Sequence, residues 1–472
     1  MHLTKYLVRH RVGGNATVVV NTLSGAVDIL TDDQVDVVER VANGETAEVD
    51  APLIAYLRRR GYVFESAEAE EHAFSDLREK VRVLEQREPT VFAICPTYFC
   101  FFKCKYCYEG ELTAPAHHTV VSAANLLHGM EALEAFLRRN LALRERPYVT
   151  FLGGEPLVPA ARDTVLEVMR AGADRGFRFT VITNGYLLDT FIGDLQRYRS
   201  FLKYVQVTLD GPEDVHNRRR PLRNDGDTFR RISANVQLAL EAGLPVQLRT
   251  NVDDSNVRTL PGLGRFIRER SWPGFRNFRT YLAPTEDSTC LGLIGLPRED
   301  QLLASWLALR EDPRHAHDLS VFDDSKLFRT TSMVQAVLSG SDTLVLPRFS
   351  YCAATKGKAF VFGPEGTIYQ CLRGVGDERT AVGTYFPHFE IDLDRVHNWM
   401  SRDISAIHCP SCTPVATLHG GGCALEALHR KGDLKACNCG DSREVVVGFL
   451  ESRKDRILMR ARAGHNTGPS VS

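Results

Sequence analysis

Three cysteines in the central part of the chain have the spacing of cluster ligands. Cys100, Cys104 and Cys107 lie in the run CFFKCKYC. Three thiolates at this spacing can hold one face of a cubane iron–sulfur cluster and leave the fourth iron without a protein ligand. Such an open iron can bind and activate a small molecule. Structural zinc usually needs two such knuckles and only one is present here, so zinc and coincidence remain as weaker alternatives.

A glycine-rich turn follows the next apolar strand. The strand Tyr148–Leu152 leads directly into a Gly-Gly-Glu-Pro turn at 153–156. Two glycines allow close backbone approach to a ligand, and Glu155 offers a carboxylate to an ammonium group. Together with the aromatic Tyr106 before the last cysteine, this arrangement resembles the radical S-adenosylmethionine enzymes. The resemblance implies a [4Fe-4S] cluster on the three cysteines and S-adenosylmethionine held by Tyr106, Gly153, Gly154 and Glu155.

Later strand ends also carry polar residues. Thr183 and Asn184 end the third strand, Asp210 ends the fourth, and Arg249 ends the fifth. Hydroxyl, carboxylate, amide and guanidinium groups at these positions can hold ribose hydroxyls and a carboxylate, although solvated loop residues remain the simpler alternative. The resemblance implies that these four residues contact the cofactor. The run 218–220, three arginines, is expected to be a solvated patch rather than a nucleic-acid site.

A second group of cysteines lies between 352 and 439. Its pattern resembles the SPASM extension, which carries one or two auxiliary [4Fe-4S] clusters, except that His419 stands where the family has a cysteine. The resemblance implies a first auxiliary cluster on Cys352, Cys371 and Cys423. It implies a second on Cys409, Cys412, one or both of Cys437 and Cys439, and His419. An unligated His419 and a zinc ribbon on the two cysteine pairs remain open.

Alternating strands and helices begin near Pro89. Strands are predicted at about 90–95, 148–152, 177–183, 204–209, 245–251 and 277–283, with helices between them. Six such units predict a parallel sheet with right-handed crossovers. In barrels of this kind the chemistry collects at the C-terminal strand ends, where both motifs lie. We therefore expect an α/β protein with the partial (β/α)6 barrel of the radical enzymes.

The first 65 residues are predicted to form a separate α+β unit. Strands at Lys5–Arg11, Ala16–Asn21 and Ala26–Leu30 precede a helix that starts at Thr31 and a second helix at Ala51–Arg60. This order resembles the winged-helix peptide-recognition element of peptide-modifying enzymes, which adds a leader peptide as an extra strand. An ordinary N-terminal cap is the alternative. DNA binding is disfavoured because residues 1–80 hold 14 acidic against 9 basic side chains.

The expected organisation is therefore in six parts. They are a winged-helix-like peptide-recognition unit (1–65), a linker helix (66–88), the barrel (89–300), a helical bridge (301–345), the cysteine-rich SPASM domain (346–450) and a C-terminal tail (451–472).

Composition limits the possible partners. The formal net charge of −1 over 472 residues favours neither nucleic acid nor an anionic membrane surface. No long apolar run and no signal-peptide core is present, so we expect a cytoplasmic protein. Twelve cysteines in that compartment indicate metal or redox chemistry rather than disulfides. Two of them, Cys95 and Cys290, are expected to be buried apolar residues.

The combined resemblance implies a radical enzyme that acts on a ribosomally made precursor peptide. In this family a 5′-deoxyadenosyl radical takes hydrogen from a substrate residue, and flavodoxin or ferredoxin supplies the electron. The sequence names neither the peptide nor the bond formed, and it identifies no catalytic residue beyond the cluster site. The alternatives are formylglycine formation, disfavoured because Leu372 follows Cys371 where that group has an acidic base, a small-molecule or haem-modifying enzyme, and a non-catalytic iron–sulfur scaffold.

Overall fold

The computed structural model describes most of the chain. The described residues are 1–45, 51–113, 119–141, 143, 145–287, 295–339, 345–407, 409–438 and 440–462. The expectations for Cys290 and Cys439 and for the last ten residues of the C-terminal tail fall outside these ranges.

Six parallel strands form the centre of the molecule. They are β6 (Val91–Ile94), β7 (Tyr148–Phe151), β8 (Arg178–Thr183), β9 (Leu202–Thr208), β10 (Val246–Val252) and β11 (Phe278–Pro284). They lie side by side in chain order, and every neighbouring pair is parallel. The prediction of a parallel α/β sheet with six strands is confirmed. Their carboxyl ends therefore meet at one edge of the sheet, where the predicted site residues lie.

Helices connect and cover these strands. They are α4 (Ala123–Asn140), α5 (Arg162–Asp174), α6 (Ile192–Arg197), α7 (Glu213–Arg219), α8 (Phe229–Glu241) and α9 (Leu260–Glu269). The apolar face predicted for α8 is buried, with Phe229, Ile232, Val236 and Leu240 each at most 3% exposed. Three further helices follow the barrel, α10 (Glu299–Glu311), α11 (Pro313–Leu319) and α12 (Ser332–Ser339).

The cysteine-rich region extends the same sheet, which the sequence did not predict. Its four strands are β12 (Ala359–Phe362), β13 (Thr367–Tyr369), β14 (Ala381–Thr384) and β15 (Glu390–Ile391). Strand β12 pairs in parallel with β6, and the other three continue antiparallel to make ten strands in all. Its helices are α13 (Leu393–Met400), α14 (Ala416–His419), α15 (Ala424–Lys431), α16 (Ser442–Ser452) and α17 (Lys454–Arg462). The two regions therefore share one backbone framework.

The N-terminal unit has the predicted mix of strands and helices. Its strands are β1 (His2–Leu3), β2 (Leu7–Arg11), β3 (Thr17–Asn21), β4 (Ala26–Leu30) and β5 (Val63–Phe64), and its helices are α1 (Asp32–Ala42) and α2 (Ala51–Arg59). Strands β2, β3 and β4 form an antiparallel sheet, while β1 pairs with β5. Thr31 caps α1 in a capping box with Gln34, which fixes the helix start predicted from the sequence.

The three-stranded sheet is buried on both faces. One face packs on α1 and α2 through residues that include Val19 and Val38. The other face, which includes Val18 and Val20, joins the main hydrophobic core of the barrel and cysteine-rich region. Hydrogen bonds from Thr22 Oγ1 to the Pro414 carbonyl (2.8 Å) and from Thr417 Oγ1 to the Thr22 carbonyl (2.7 Å) strengthen this contact. The unit is thus a structural part of the body.

The charged segment after this unit forms one long helix, α3 (Ala67–Gln86). Phe74 on this helix packs against Tyr6 at 5.6 Å between ring centroids and against Phe349 at 5.3 Å. Arg78 donates to Asp403 in the cysteine-rich region at 2.6 Å. Helix α3 therefore packs between the N-terminal unit and the cysteine-rich region and does not span a gap as a linker.

Candidate functional site

The three-cysteine loop lies at the carboxyl end of β6. Cys100 is 8% exposed, and the Phe102 amide donates to its sulfur at 3.4 Å. Burial raises the pKa of Cys100, and the nearby Cys104 and Cys107 raise it further, so the three thiols are close neighbours. Burial raises the pKa of Cys107 to about 11, and Glu109 and Cys104 contribute to the rise. Metals bind cysteine as the thiolate, so metal binding would displace the protons of these buried thiols. This donor set therefore fits an iron–sulfur cluster.

Glu155 is the centre of a polar pocket beside this loop. It is 2% exposed and accepts three hydrogen bonds: from the Leu157 amide (2.9 Å), the Asn184 amide (2.7 Å) and the Thr183 hydroxyl (2.6 Å). Burial raises the pKa of Glu155, and these bonds oppose the rise. A carboxylate has about four acceptor positions, so room remains for one more donor, such as a ligand ammonium.

Asn184 joins this pocket to the cysteine loop. Its side-chain amide lies 3.7 Å from the Cys100 sulfur, and its carbonyl oxygen accepts from the Tyr186 amide at 2.8 Å. The structure thus brings Glu155, Thr183 and Asn184 together against the loop. The sequence named all three as cofactor contacts, which stays a prediction, and the structure places them side by side at neighbouring strand ends.

The two glycines of the turn are required because a larger side chain would clash with neighbouring atoms. Gly153 has φ of +118°, and a Cβ atom there would stand 2.3 Å from the Cys95 sulfur. The confirmed burial of Cys95, at 0% exposed, therefore depends on the missing side chain at Gly153. At Gly154 a Cβ atom would stand 1.9 Å from the Tyr98 carbonyl oxygen. The turn lies directly against the start of the cysteine loop, so only glycine fits.

Tyr106 anchors the other side of the loop to the ends of two strands and to Arg220, which follows α7. Its hydroxyl donates to Asp210, which follows β9, and accepts from Asn251 in β10 at 3.0 Å. Arg220 donates to the same hydroxyl at 2.7 Å. The Arg249 guanidinium, named as a contact from the sequence, donates to the Asn251 side chain at 2.7 Å. Tyr106, Asp210 and Arg249 therefore belong to one network.

The arginine run 218–220 is not a solvated patch, and that prediction is wrong for two of its three residues. Arg219 and Arg220 are each 8% exposed, whereas Arg218 is exposed. Arg219 forms a two-pronged pair with Asp253, with both bonds 2.9 Å long. Helix α7 turns these two side chains inward beneath the loop. Asp253 was missed because its only sequence signal is its place just beyond a strand end.

The structure also groups the cysteines assigned to a first auxiliary site. Burial raises the pKa of Cys423 to about 12, and Cys352 adds to the rise. Burial also raises the pKa of Cys371, with Cys352 and Cys423 as its charged neighbours. Each of these three thiols thus has the others among its electrostatic neighbours, and their joint ligation of a cluster stays a prediction.

The sulfur atoms of a second group of cysteines lie close to one another. The sulfurs of Cys409, Cys412 and Cys437 all lie within 4.8 Å of one another. The Cys409 and Cys412 sulfurs are 3.0 Å apart, and those of Cys412 and Cys437 are 3.2 Å apart. Three cysteine sulfurs that converge on one point could hold a metal centre once all three are reduced. Cys439, the further ligand expected here, lies outside the described residues.

His419 lies between two cavities. It is 3% exposed, and neither ring nitrogen has a hydrogen-bond partner among the described residues. Burial lowers its pKa to about 4, and Arg329, Arg402 and Arg348 add to the effect. Its imidazole is therefore neutral near pH 7 and has a free lone pair. With Cys409 and Cys412 it lines a cavity of about 240 Å³.

The second cavity beside His419 opens at the barrel mouth and has a volume of about 620 Å³. Arg249 and Tyr281 line one side, and Cys423 and Asn438 line the other. Arg249 lies in the middle of β10 and not at its end as predicted, and it pairs there with Tyr281 of β11. Arg249 also belongs to the Tyr106 network, so the cavity adjoins the cysteine loop. Its size suits a short peptide segment or a small molecule.

Comparison with known proteins supports this description. Residues 94–260 match the family model described as Radical SAM superfamily. The chain is 29% identical over 174 residues to Fe-coproporphyrin III synthase of Methanosarcina barkeri, covering 37% of this chain and 40% of that protein. It is 24% identical over 190 residues to the cysteine-type anaerobic sulfatase-maturating enzyme of Clostridium perfringens, covering 39% and 50%. The chain thus spans about half or less of these curated relatives.

One solved structure matches nearly the whole chain. It is that of Streptococcus suis SuiB bound to precursor peptide SuiA, with a TM-score of 0.52 and 14% identity. The match covers 92% of this chain and 98% of SuiB. At this identity the likeness concerns the fold, which extends here beyond the matched family domain at both ends. Among the described residues, no helix is both long enough and apolar enough to cross a lipid bilayer.

Proposed function

We propose that this chain, whose residues 94–260 match the Radical SAM superfamily model, is a radical S-adenosylmethionine enzyme that modifies a ribosomally made peptide. The observation that carries the proposal is the placement of Cys100, Cys104 and Cys107 against the pocket of Glu155, Thr183 and Asn184. Three cysteines would hold the [4Fe-4S] cluster and leave one iron open. With S-adenosylmethionine bound, such a cluster would supply the one-electron reduction on which radical chemistry depends.

Residues of this chain would bind S-adenosylmethionine and orient the substrate residue. Glu155 would receive the ammonium group of S-adenosylmethionine, because the carboxylate is buried and has acceptor capacity left. Gly153 and Gly154 let that group approach the backbone. The Tyr106 network with Asp210 and Asn251 fixes the far side of the loop. The 620 Å³ cavity beyond Arg249 would hold the substrate residue and exclude bulk water.

Two features favour a peptide substrate. The N-terminal unit has the strands and helices of a peptide-recognition element, and a leader could add to its sheet edge. The fold likeness over 92% of the chain is to a protein solved with a precursor peptide. Auxiliary clusters on Cys352, Cys371 and Cys423 and on Cys409, Cys412 and Cys437 would then accept or deliver electrons. We place His419 and Cys439 among the candidate ligands of the second cluster.

The electron donor is proposed to be a flavodoxin or ferredoxin. Twelve cysteines in the chain indicate metal or redox chemistry, and carriers of this kind would deliver single electrons to iron–sulfur clusters. A direct test compares 5′-deoxyadenosine production with flavodoxin and its reductase against production with dithionite.

The decisive experiment for the peptide proposal uses the reconstituted, anaerobic protein. A short precursor peptide encoded beside this chain is incubated with S-adenosylmethionine and reductant. We expect 5′-deoxyadenosine together with a mass change in the peptide core. Cofactor cleavage without any peptide product would reject the substrate class while leaving the radical chemistry in place.

A second candidate rests on the curated relatives. The chain resembles Fe-coproporphyrin III synthase over 37% of its length, so a tetrapyrrole is the alternative substrate. The same assay with an iron porphyrin in place of the peptide separates the two. Formylglycine formation is disfavoured because Leu372, 37% exposed, stands where an acidic base is expected.

A further inference from the structure

Arg402 is a buried cation without an ion-pair partner. It follows α13 and is 0% exposed. Its terminal nitrogens donate to the carbonyl oxygens of Gly421 (2.8 Å), Gly422 (3.3 Å), Leu434 and Ala436 (2.9 Å). Among the described residues its hydrogen bonds go to backbone carbonyl oxygens and none goes to a carboxylate. A guanidinium held only by neutral carbonyls pays a large desolvation cost, so it should have a compensating negative charge nearby.

The four carbonyl groups belong to two different loops. Gly421 and Gly422 lead into Cys423, and Leu434 and Ala436 lead into Cys437. Both glycines are left-handed, with φ of +83° and +79°, which lets the first loop turn its carbonyls toward one point. One side chain therefore joins a loop of the first cysteine group to a loop of the second.

The charged and titratable groups that act on the pKa of Arg402 include the same cysteines. Burial lowers its pKa, and the main opposing groups are Cys423, Cys437, Asp433 and Cys352. Its Nε is buried and has no hydrogen-bond partner among the described residues. The guanidinium thus lies between the two thiol groups, with one donor still unused.

We propose that Arg402 is a positioning residue that holds the two auxiliary-cluster loops together and, as a cation between the clusters, raises their reduction potentials. The proposal rests on the proposed function, because it requires iron–sulfur clusters at both cysteine groups. Reduction adds negative charge to a cluster, so a nearby buried cation stabilises the reduced form. The same side chain fixes the separation of the two centres, because both loops share its donors.

The test uses a protein that can carry only auxiliary clusters. In a Cys100→Ala, Cys104→Ala, Cys107→Ala background, Arg402 is changed to Gln, which keeps a donor but no charge, or to Lys, which keeps the charge. Iron and sulfide per chain are measured, and the clusters are titrated by EPR. Arg279→Met is the matched control, since exposed Arg279 also binds carbonyls, of Arg276 and Phe278, but at the other end of a barrel strand.

In Arg402→Gln we expect the reduced-to-oxidised ratio at a fixed potential to fall on the order of tenfold, which is about 59 mV for a one-electron couple. Arg402→Lys should recover most of that shift, and Arg279→Met should match the parent. Equal potentials in Arg402→Gln and the parent would overturn the proposal. If Arg402→Gln fails to load iron, Arg402→Lys decides: near-parental potentials support the proposal and much lower ones overturn it. A parent without auxiliary iron would instead reject the cluster assignment itself.

Discussion

Gly154 lies so close to Tyr98 that a methyl group on its α-carbon would stand 1.9 Å from the Tyr98 carbonyl oxygen. The contact joins the Gly-Gly-Glu-Pro turn to the start of the cysteine loop. We expect Gly154→Ala to push the loop away and to lower 5′-deoxyadenosine formation at least tenfold. The obstacle is backbone, which cannot move aside as a flexible side chain could. Reconstituted protein assayed without peptide checks this.

The control for that change is Gly193→Ala. Gly193 lies in α6 with nothing within 4 Å of the added carbon, and alanine in a helix is favourable. This variant should keep parental cofactor cleavage. Parental activity in Gly154→Ala would show that the loop tolerates displacement.

The cluster assignment predicts a selective loss. Changing Cys100, Cys104 and Cys107 together to alanine should abolish reductive cleavage of S-adenosylmethionine, because the three thiols are the only ligands proposed for the radical cluster. Iron bound at the auxiliary sites should remain. Iron analysis and chromatography of 5′-deoxyadenosine measure the two effects separately, and full cleavage activity in this variant would refute the assignment.

Glu155→Gln tests the ammonium contact. The amide would face one of the three donors that the carboxylate now accepts, and the negative charge would be lost. Hydrogen bonds to charged groups contribute about 1.5–3 kcal/mol, so the Kd for S-adenosylmethionine should rise roughly 10- to 100-fold. Calorimetry on the reconstituted protein measures this. Glu167→Gln, on the exposed side of α5, should bind as the parent does, and unchanged affinity in Glu155→Gln would remove the contact.

His419 gives a test of auxiliary ligation. Its neutral, buried imidazole lines the same cavity as Cys409 and Cys412. A nitrogen ligand leaves a cluster less negative than a thiolate does, so His419→Cys should lower the midpoint potential of the second auxiliary cluster. Redox titration followed by EPR measures it. Unchanged potentials and spectra in both His419→Cys and His419→Ala would exclude ligation.

Leader binding should protect an edge of the N-terminal sheet. The edge strands are β2, at Leu7–Arg11, and β4, at Ala26–Leu30. A leader added as a strand should slow amide hydrogen exchange in one of them, as measured by mass spectrometry with the precursor and with its core segment alone. Deleting residues 1–65 is a poor test, because it would expose the Val18 face of the sheet that belongs to the main core. Protection confined to the barrel would contradict a recognition role.

The sequence predicted the repeating parts of the fold and the close grouping around Glu155. The six central strands follow from apolar runs bounded by turns, and parallel pairing then brings Thr183 to Glu155. The pairing of β12 with β6 was not predictable, because a four-residue buried strand carries no sign of its partner. Burial of Arg219 and Arg220 was missed for a related reason. Their carboxylate and phenol partners come from distant strand ends, which local composition does not reveal.

The three-stranded sheet is packed in place, so it fixes the distance between a peptide bound at its edge and the reacting position. Because both faces are packed, the edge cannot swing toward the barrel mouth, and its distance from the reacting position is constant. An extended chain covers at most about 3.3–3.6 Å per residue, so the tether between the bound leader and the modified residue has a minimum length. Shortening it below that length would abolish modification. Doubling a flexible tether would cost only about 0.6 kcal/mol, so natural substrates should tolerate insertions between leader and core far better than deletions.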